Sequence, residues 1–196
     1  APAKITEKNG DLAIDPEIVD EHPPKEAWQE IAKIYKEKTG RELIAMDKRD
    51  QNVRYAQFKY YINERHKNGI SVMLDLPSCA SWDLYKARPD LMAFEKDGTP
   101  KTPQGWNDIR MFQPWEDEGK RTLNPKLLEL HKDYVDMCID LGIDGIRADV
   151  ARAKPVEFWN VIFKATKNGL TLQQWGICIL LSSFSLVVDF ILKIKF

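Results

Sequence analysis

Apolar residues recur along this chain in two rhythms. Over 25–38, Trp28, Ile31 and Tyr35 stand three and four positions apart, and Gly40 follows. That spacing predicts a helix with one apolar stripe and a glycine stop, entered just after Pro23-Pro24. A second helix is predicted over 51–67, with Tyr55, Phe58 and Ile62 on one face and Asn68-Gly69 at its end. A third opens at Asn124-Pro125, where proline suits a first-turn position. Leu127, Leu128, His131, Tyr134, Val135, Cys138 and Leu141 give it a wide apolar stripe. Residues 70–75 and 144–149 follow the other rhythm. Each is a short strand, apolar in the first case and alternating in the second, that comes after a helix and a glycine and ends in an aspartate. Two such units predict helices alternating with parallel strands. Residues 1–20 read as loop, apart from a short strand at 12–14.

The run Gly142 to Pro155 organises the rest. Side chains alternate along a strand, so Gly145, Arg147 and Asp149 share one face, and Ile146, Ala148 and Val150 the other. The apolar face suits packing on helices, and the charged face suits a site. Asp149 then lies at the carboxyl end of a strand that feeds a helix starting near Pro155, the place where barrel enzymes keep catalytic groups. The pattern leaves a second reading open: a strand-end aspartate that caps a turn, with Arg147 as its ion-pair partner.

Composition narrows the function classes. Lys plus Arg is 29 against 30 Asp plus Glu, interleaved, so the chain has no basic footprint for nucleic acid. Cys79, Cys138 and Cys178 are far apart and read as free thiols, which favours a cytoplasmic setting. The opening residues do not read as a cleavable leader. His22, His66 and His131 have no metal-site spacing, and His131 reads as structural on its helix stripe. No metal and no cofactor are expected.

Between 76 and 123 regular patterning is lost, and Pro, Gly and aromatic residues gather: Trp82, Tyr85, Phe94, Trp106, Phe112 and Trp115. A structureless stretch of that length is expected to be functional or to fold on its own. Burial in a small local core is the expected use of most of these rings. From Asn168 to Leu192 the only charge is Asp189. The apolar run is borderline for a membrane span, which takes about 20 residues, and Asp189 counts against one.

Asp-Gly-Ile-Arg-Ala-Asp, 144–149, resembles the strand-four motif of the α-amylase family, glycoside hydrolase family 13. The segment 76–123 stands where that family expands the connection after strand three into a small domain. The resemblance implies an α/β fold, an incomplete (β/α)8 TIM barrel with an irregular insertion after the strand ending at Asp75. The organisation it implies is 1–75 as the N-terminal part of the barrel, 76–123 as the insert, 124–163 as its continuation, and 164–196 as an atypical apolar tail. The resemblance stops near Trp159, so the tail reads as a shifted frame or a truncated gene. By the same resemblance Asp149 is the catalytic nucleophile and Arg147 its supporting cation. Asp75 positions Arg147. Arg152 either contacts a leaving-group sugar or is a plain surface arginine. Cys79 and Ala80 stand where the family usually has Asn and His, so sugar contacts there are not expected.

The implied function is a glycoside hydrolase or transglycosylase acting on α-glucans or maltooligosaccharides with retention. That chemistry needs a second carboxyl group about 5–5.5 Å from the first. The family takes it from a glutamate on strand five, and no glutamate follows Glu157 here. A full barrel takes about 250 residues, so the chain is expected to be an inactive fragment. The alternative is an amylase-like binding or transporter-associated protein without a working site, its apolar tail serving as a membrane segment.

Overall fold

The computed structural model describes residues 5–8, 11–14 and 19–167. The chain falls into two compact units, one drawn from 1–72 with Asp140–Ile143 and the other from Met73–Ile139 and Asp144 onward.

In the first unit, β1 (Ile5–Lys8) and β2 (Asp11–Ile14) form an antiparallel hairpin. The sequence reading had only the second of these strands. Helices α1 (Lys25–Thr39) and α2 (Gln51–Lys67) follow as expected. Ala27, Ile31, Ile34 and Tyr35 are the buried face of α1, and their spacing of three to four residues is the stripe the sequence carries. Gly40 ends α1 at φ 70°, a left-handed value that glycine adopts freely, and its N–H donates to the Lys36 carbonyl. Asp50 caps α2 by accepting from the Asn52 N–H at 2.8 Å. The same carboxylate accepts the Tyr35 hydroxyl, joining the α2 cap to α1. The first turns of α2 are buried on every side, so its two faces do not differ in polarity as those of α1 do. Arg54 is buried there because it donates to the Lys48 carbonyl and to Gln51.

In the second unit, β3 (Met73–Leu76) and β8 (Gly145–Ala148) are parallel neighbours, with Asp75 opposite Arg147. Leu74, Leu76, Ile146 and Ala148 are buried, while Arg147 is exposed and Asp75 half-buried. A parallel pair needs long crossover connections, and here these hold the insert and α4 (Pro125–Leu141). Leu127, Leu130, Tyr134, Val135, Cys138 and Leu141 of α4 are buried at helical spacing. Each fully buried leucine of this kind is worth about 1.5–3 kcal/mol. The Tyr134 hydroxyl donates to the Asp75 carbonyl at 2.7 Å, fixing α4 to β3. The first strand starts later than its apolar run suggested: Ile70 is 48% exposed and lies outside the sheet.

The insert is not structureless. It holds β4 (Cys79–Ser81), α3 (Trp82–Ala87), β5 (Ile109–Met111), β6 (Trp115–Asp117) and β7 (Thr122–Leu123), in two antiparallel pairs. Its buried apolar residues are Ala80, Leu84, Leu91, Met92, Ala93 and Phe112. The expectation that most of its aromatic rings are buried fails. Only Phe112 is buried, and Trp82, Phe94 and Trp106 are exposed. Short aliphatic side chains fill this core instead.

After β8 the chain makes a tight turn. Val150 sits at φ 46°, ψ 49°, then a 3₁₀ turn spans Ala151–Ala153, and α5 (Val156–Lys167) begins after Pro155. A β-branched residue in the left-handed region is strained. Among the described residues no helix is long and apolar enough to cross a membrane. Residues 168–196, with Cys178 and most of the expected apolar tail, lie outside those described.

The strain at Val150 gives a direct expectation. Asparagine accepts left-handed backbone readily, and Val150 is 42% exposed, so little packing is lost. Val150→Asn should raise the unfolding free energy by about 1 kcal/mol, read as a higher urea midpoint at unchanged slope. A lower midpoint would show that the turn is not a source of strain.

Candidate functional site

The parallel register carries Asp75 and Arg147 to the same level of neighbouring strands on the same face. Two residues on, Asp149 leaves β8 on that face too. Arg147 bridges both carboxylates: Nη1 donates to Asp75 Oδ2 at 2.6 Å and Nη2 to Asp149 Oδ1 at 3.1 Å. The Asp149 N–H donates to the Leu76 carbonyl at 3.1 Å, so the ladder runs one residue past the strand and fixes the backbone under the carboxylate. The three side chains are 41–46% exposed. Ion pairs that open to water are worth only about 0–1 kcal/mol each, so the bridge contributes orientation more than stability. Hydrogen bonding to Asp75, and the Asp75 and Asp149 charges, raise the affinity of the Arg147 guanidinium for its proton.

Asp149 opens into a cavity of about 630 Å³ whose wall includes Cys79, Gln104, Trp106, Met111 and Arg152. Trp106 comes from the insert, is 61% exposed, and lines this space. Arg152 stands on the 3₁₀ turn, exposed, at the edge of the same cavity. The structure therefore brings the four residues singled out from the sequence to one end of one strand pair: three in direct contact, and Arg152 across the turn. Ala80 is fully buried, and Cys79 is half-buried on the cavity wall.

One group was not legible in the sequence. Lys154, between Ala153 and Pro155, is 5% exposed. Its side-chain nitrogen donates to the Ser78 carbonyl and lies 4.6 Å from the Phe112 ring centre and 5.8 Å from that of Phe158. Burial pushes its pKa down to about 7, partly offset by the Cys79 thiol. Burial likewise holds the Cys79 thiol up, against the pull of Lys154. His131 closes this cluster. It meets Phe112 and Phe158 edge-on, with Nδ1 2.9 Å from the Leu127 carbonyl oxygen. Burial, and then the Lys154 charge, bring its pKa down to about 4. A structural histidine is what the α4 stripe implied, and that is its setting here. A lone lysine in a loop carries no periodic signal that would reveal such burial. Among the described residues no group of three His, Cys, Asp or Glu side chains is placed to hold a metal ion.

No family model matches the chain, and no curated protein matches it. Solved structures do. An α-amylase from Lactobacillus plantarum is 26% identical, with a TM-score of 0.48, over 58% of this chain and 26% of that one. The catalytic module of a pneumococcal multi-modular glycogen-degrading virulence factor is 28% identical, with a TM-score of 0.46, over 63% of this chain and 17% of that one. A cyclic α-maltosyl-(1→6)-maltose hydrolase from Arthrobacter globiformis is 22% identical, with a TM-score of 0.48, over 63% of this chain and 31% of that one. The chain spans less than a third of the length of each.

The buried histidine sets a pH dependence. Unfolded, His131 takes a proton below about pH 6.5, whereas in the fold it does so only near pH 4. The unfolded state therefore binds more protons in this window. The histidine's contribution is intact above about pH 6.5 and falls by about 3 kcal/mol as the pH drops toward 4. Urea unfolding of the wild type and of His131→Leu at pH 5 and pH 7 checks this. The wild type should lose more stability on acidification than the variant, and equal losses would count against a neutral buried imidazole.

Proposed function

We propose that this chain is part of the catalytic domain of a retaining glycoside hydrolase or transglycosylase that acts on α-glucans, built as an incomplete (β/α)8 barrel of the α-amylase type. In this reading 76–123 is the inserted small domain between barrel segments 1–75 and 124–163, and 164–196 is an atypical tail. The observation that carries it is the Asp75–Arg147–Asp149 bridge at the carboxyl end of a parallel strand pair, beside a cavity, in a segment with the family's strand-four motif.

The chemistry follows from that placement. The Asp149 carboxylate attacks the anomeric carbon of the sugar. The bond from that carbon to the glycosidic oxygen breaks, and the oxygen leaves with a proton from a general acid. Water or another sugar hydroxyl then displaces Asp149 from the covalent intermediate, with retention. Arg147 keeps Asp149 oriented and paired with a cation, and Asp75 holds the other arm of the guanidinium. Arg152 and Trp106 flank the space open to the departing sugar.

The general acid is the missing part. Glu157 is on α5 and is paired with Arg121, which suits a surface ion pair rather than a proton donor. Cys79 and Ala80, standing where polar sugar contacts are usual in the family, favour a second reading: a glucan-binding or transporter-associated relative without turnover.

Positioned general acid catalysis contributes about 10²–10⁴-fold, so the 196 residues alone should release no reducing sugar from starch or maltooligosaccharides. When the chain is joined to a barrel half that supplies a strand-end glutamate, turnover should appear. Asp149→Asn should then lower it by at least about 10⁴-fold at unchanged fold, with the first-formed product keeping its anomeric configuration by NMR. Turnover unaffected by the substitution would remove Asp149 as nucleophile. Glucan binding without turnover in the joined protein would favour the second reading.

A further inference from the structure

We propose that Lys154 is the positioning residue of the loop that carries Asp149: its amine latches the loop to the Pro77–Cys79 turn, and protonation of that amine shifts the loop toward opening.

The loop is held at both ends by one short segment. At its start the Asp149 N–H donates to the Leu76 carbonyl, and at its end the Lys154 amine donates to the Ser78 carbonyl. Between them the backbone is strained at Val150. Two further bonds set its shape: the Ala153 N–H to the Val150 carbonyl at 2.9 Å, and the Trp159 indole N–H to the Ala151 carbonyl at 2.8 Å. A latch made from an amine buried between two rings has a built-in conflict. As a hydrogen-bond donor it holds the loop shut. As an ammonium it has lost its water, with a carbonyl and two ring faces in its place, and desolvation disfavours the charged form.

Opening the loop returns the amine to water, where it binds a proton with a pKa of about 10.4. Closed, it does so only near pH 7. Opening therefore takes up a proton between these values, and by linkage it becomes rarer as the pH rises from 7 toward 10. Below pH 7 both states are charged, and opening is most frequent and independent of pH. Two other titratable groups bear on the amine. Cys79, from β4, is held up by burial and feels both Lys154 and Asp149. His131, from α4, is held down to about 4 and stays neutral throughout this range. Lys154 thus sets whether Asp149, Arg147 and Arg152 stand in one arrangement. The consequence for catalysis rests on the reading of Asp149 as nucleophile, but the latch itself does not.

Hydrogen exchange on the full 196-residue chain tests it, following the amides of residues 153 and 154 and the Trp159 indole N–H from pH 6 to 9, each rate corrected for intrinsic base catalysis. In the wild type, protection should rise by up to about tenfold per pH unit above pH 7. Lys154→Met keeps the stem but can neither be charged nor donate to the Ser78 carbonyl, so its protection should be flat with pH. Lys154→Arg is always charged, so its protection should be low and flat. Cys79→Ser should keep the wild-type slope. The Ile146 and Val135 amides should show no such slope in any of these proteins. A flat wild-type profile, a wild-type slope in Lys154→Met, or a slope lost in Cys79→Ser would each overturn the proposal. If Lys154→Arg does not fold, the wild type and Lys154→Met decide between them. No sugar enters this measurement, so its failure is separate from a failure of Asp149→Asn to abolish turnover.

Discussion

The register of one strand pair is the constraint on which the candidate site depends. A parallel ladder with Asp75 opposite Arg147 puts a carboxylate and a guanidinium side by side on one face. A slip of one residue would exchange the faces of β8, burying the arginine and turning Ile146 and Ala148 outward. The apolar face therefore enforces the polar one. Leu74, Leu76, Ile146 and Ala148 must be buried together, and that requirement leaves Arg147 only one place to go. Tyr134 adds a second lock, since its hydroxyl accepts no other position once it donates to the Asp75 carbonyl.

The two faces also divide the electrostatic work. On the open face Arg147 and its two carboxylates share their charges with water, so they attract weakly and align well. On the closed side Lys154 and His131 sit among aromatic rings with little water, and their protonation is governed by burial. The turn from Asp149 to Lys154 passes from one regime to the other within six residues. That is why this short turn holds the strained Val150, the exposed Arg152 and the buried Lys154 together.

What was legible in the sequence follows from what leaves a periodic trace. Helices α1 and α4 were visible because their buried faces repeat every three to four residues. The strand pair was visible because a glycine, a short strand and an aspartate recur twice in the same order. The charged face of β8 could be read from alternation alone, and with it the company of Arg147 and Asp149. The insert resisted because its strands are two or three residues long, too short to show a period. Its core is made largely by Leu84, Leu91, Met92 and Ala93, which are scattered among turns, and of its large rings only Phe112 is buried. Lys154 left no trace at all, because nothing local distinguishes a buried lysine from a solvated one. Beside Phe158, what it packs against are Phe112 and Ser78, which are far away in the chain.

The Asp75–Arg147 contact joins residues 72 positions apart. In a featureless chain, closing a loop of that length costs more conformational entropy than closing a hairpin, growing as about (3/2)RT ln n. The loop is not featureless, because the antiparallel pairs β4–β5 and β6–β7 and helix α4 all lie inside it. Each of them brings the two strands nearer once formed, so the remaining search is much shorter than the sequence separation suggests. The order of events implied by this topology is local structure first and the parallel pair last. By that order the bridge at the candidate site belongs with the late contacts, made once the insert and α4 have shortened the path between its two strands.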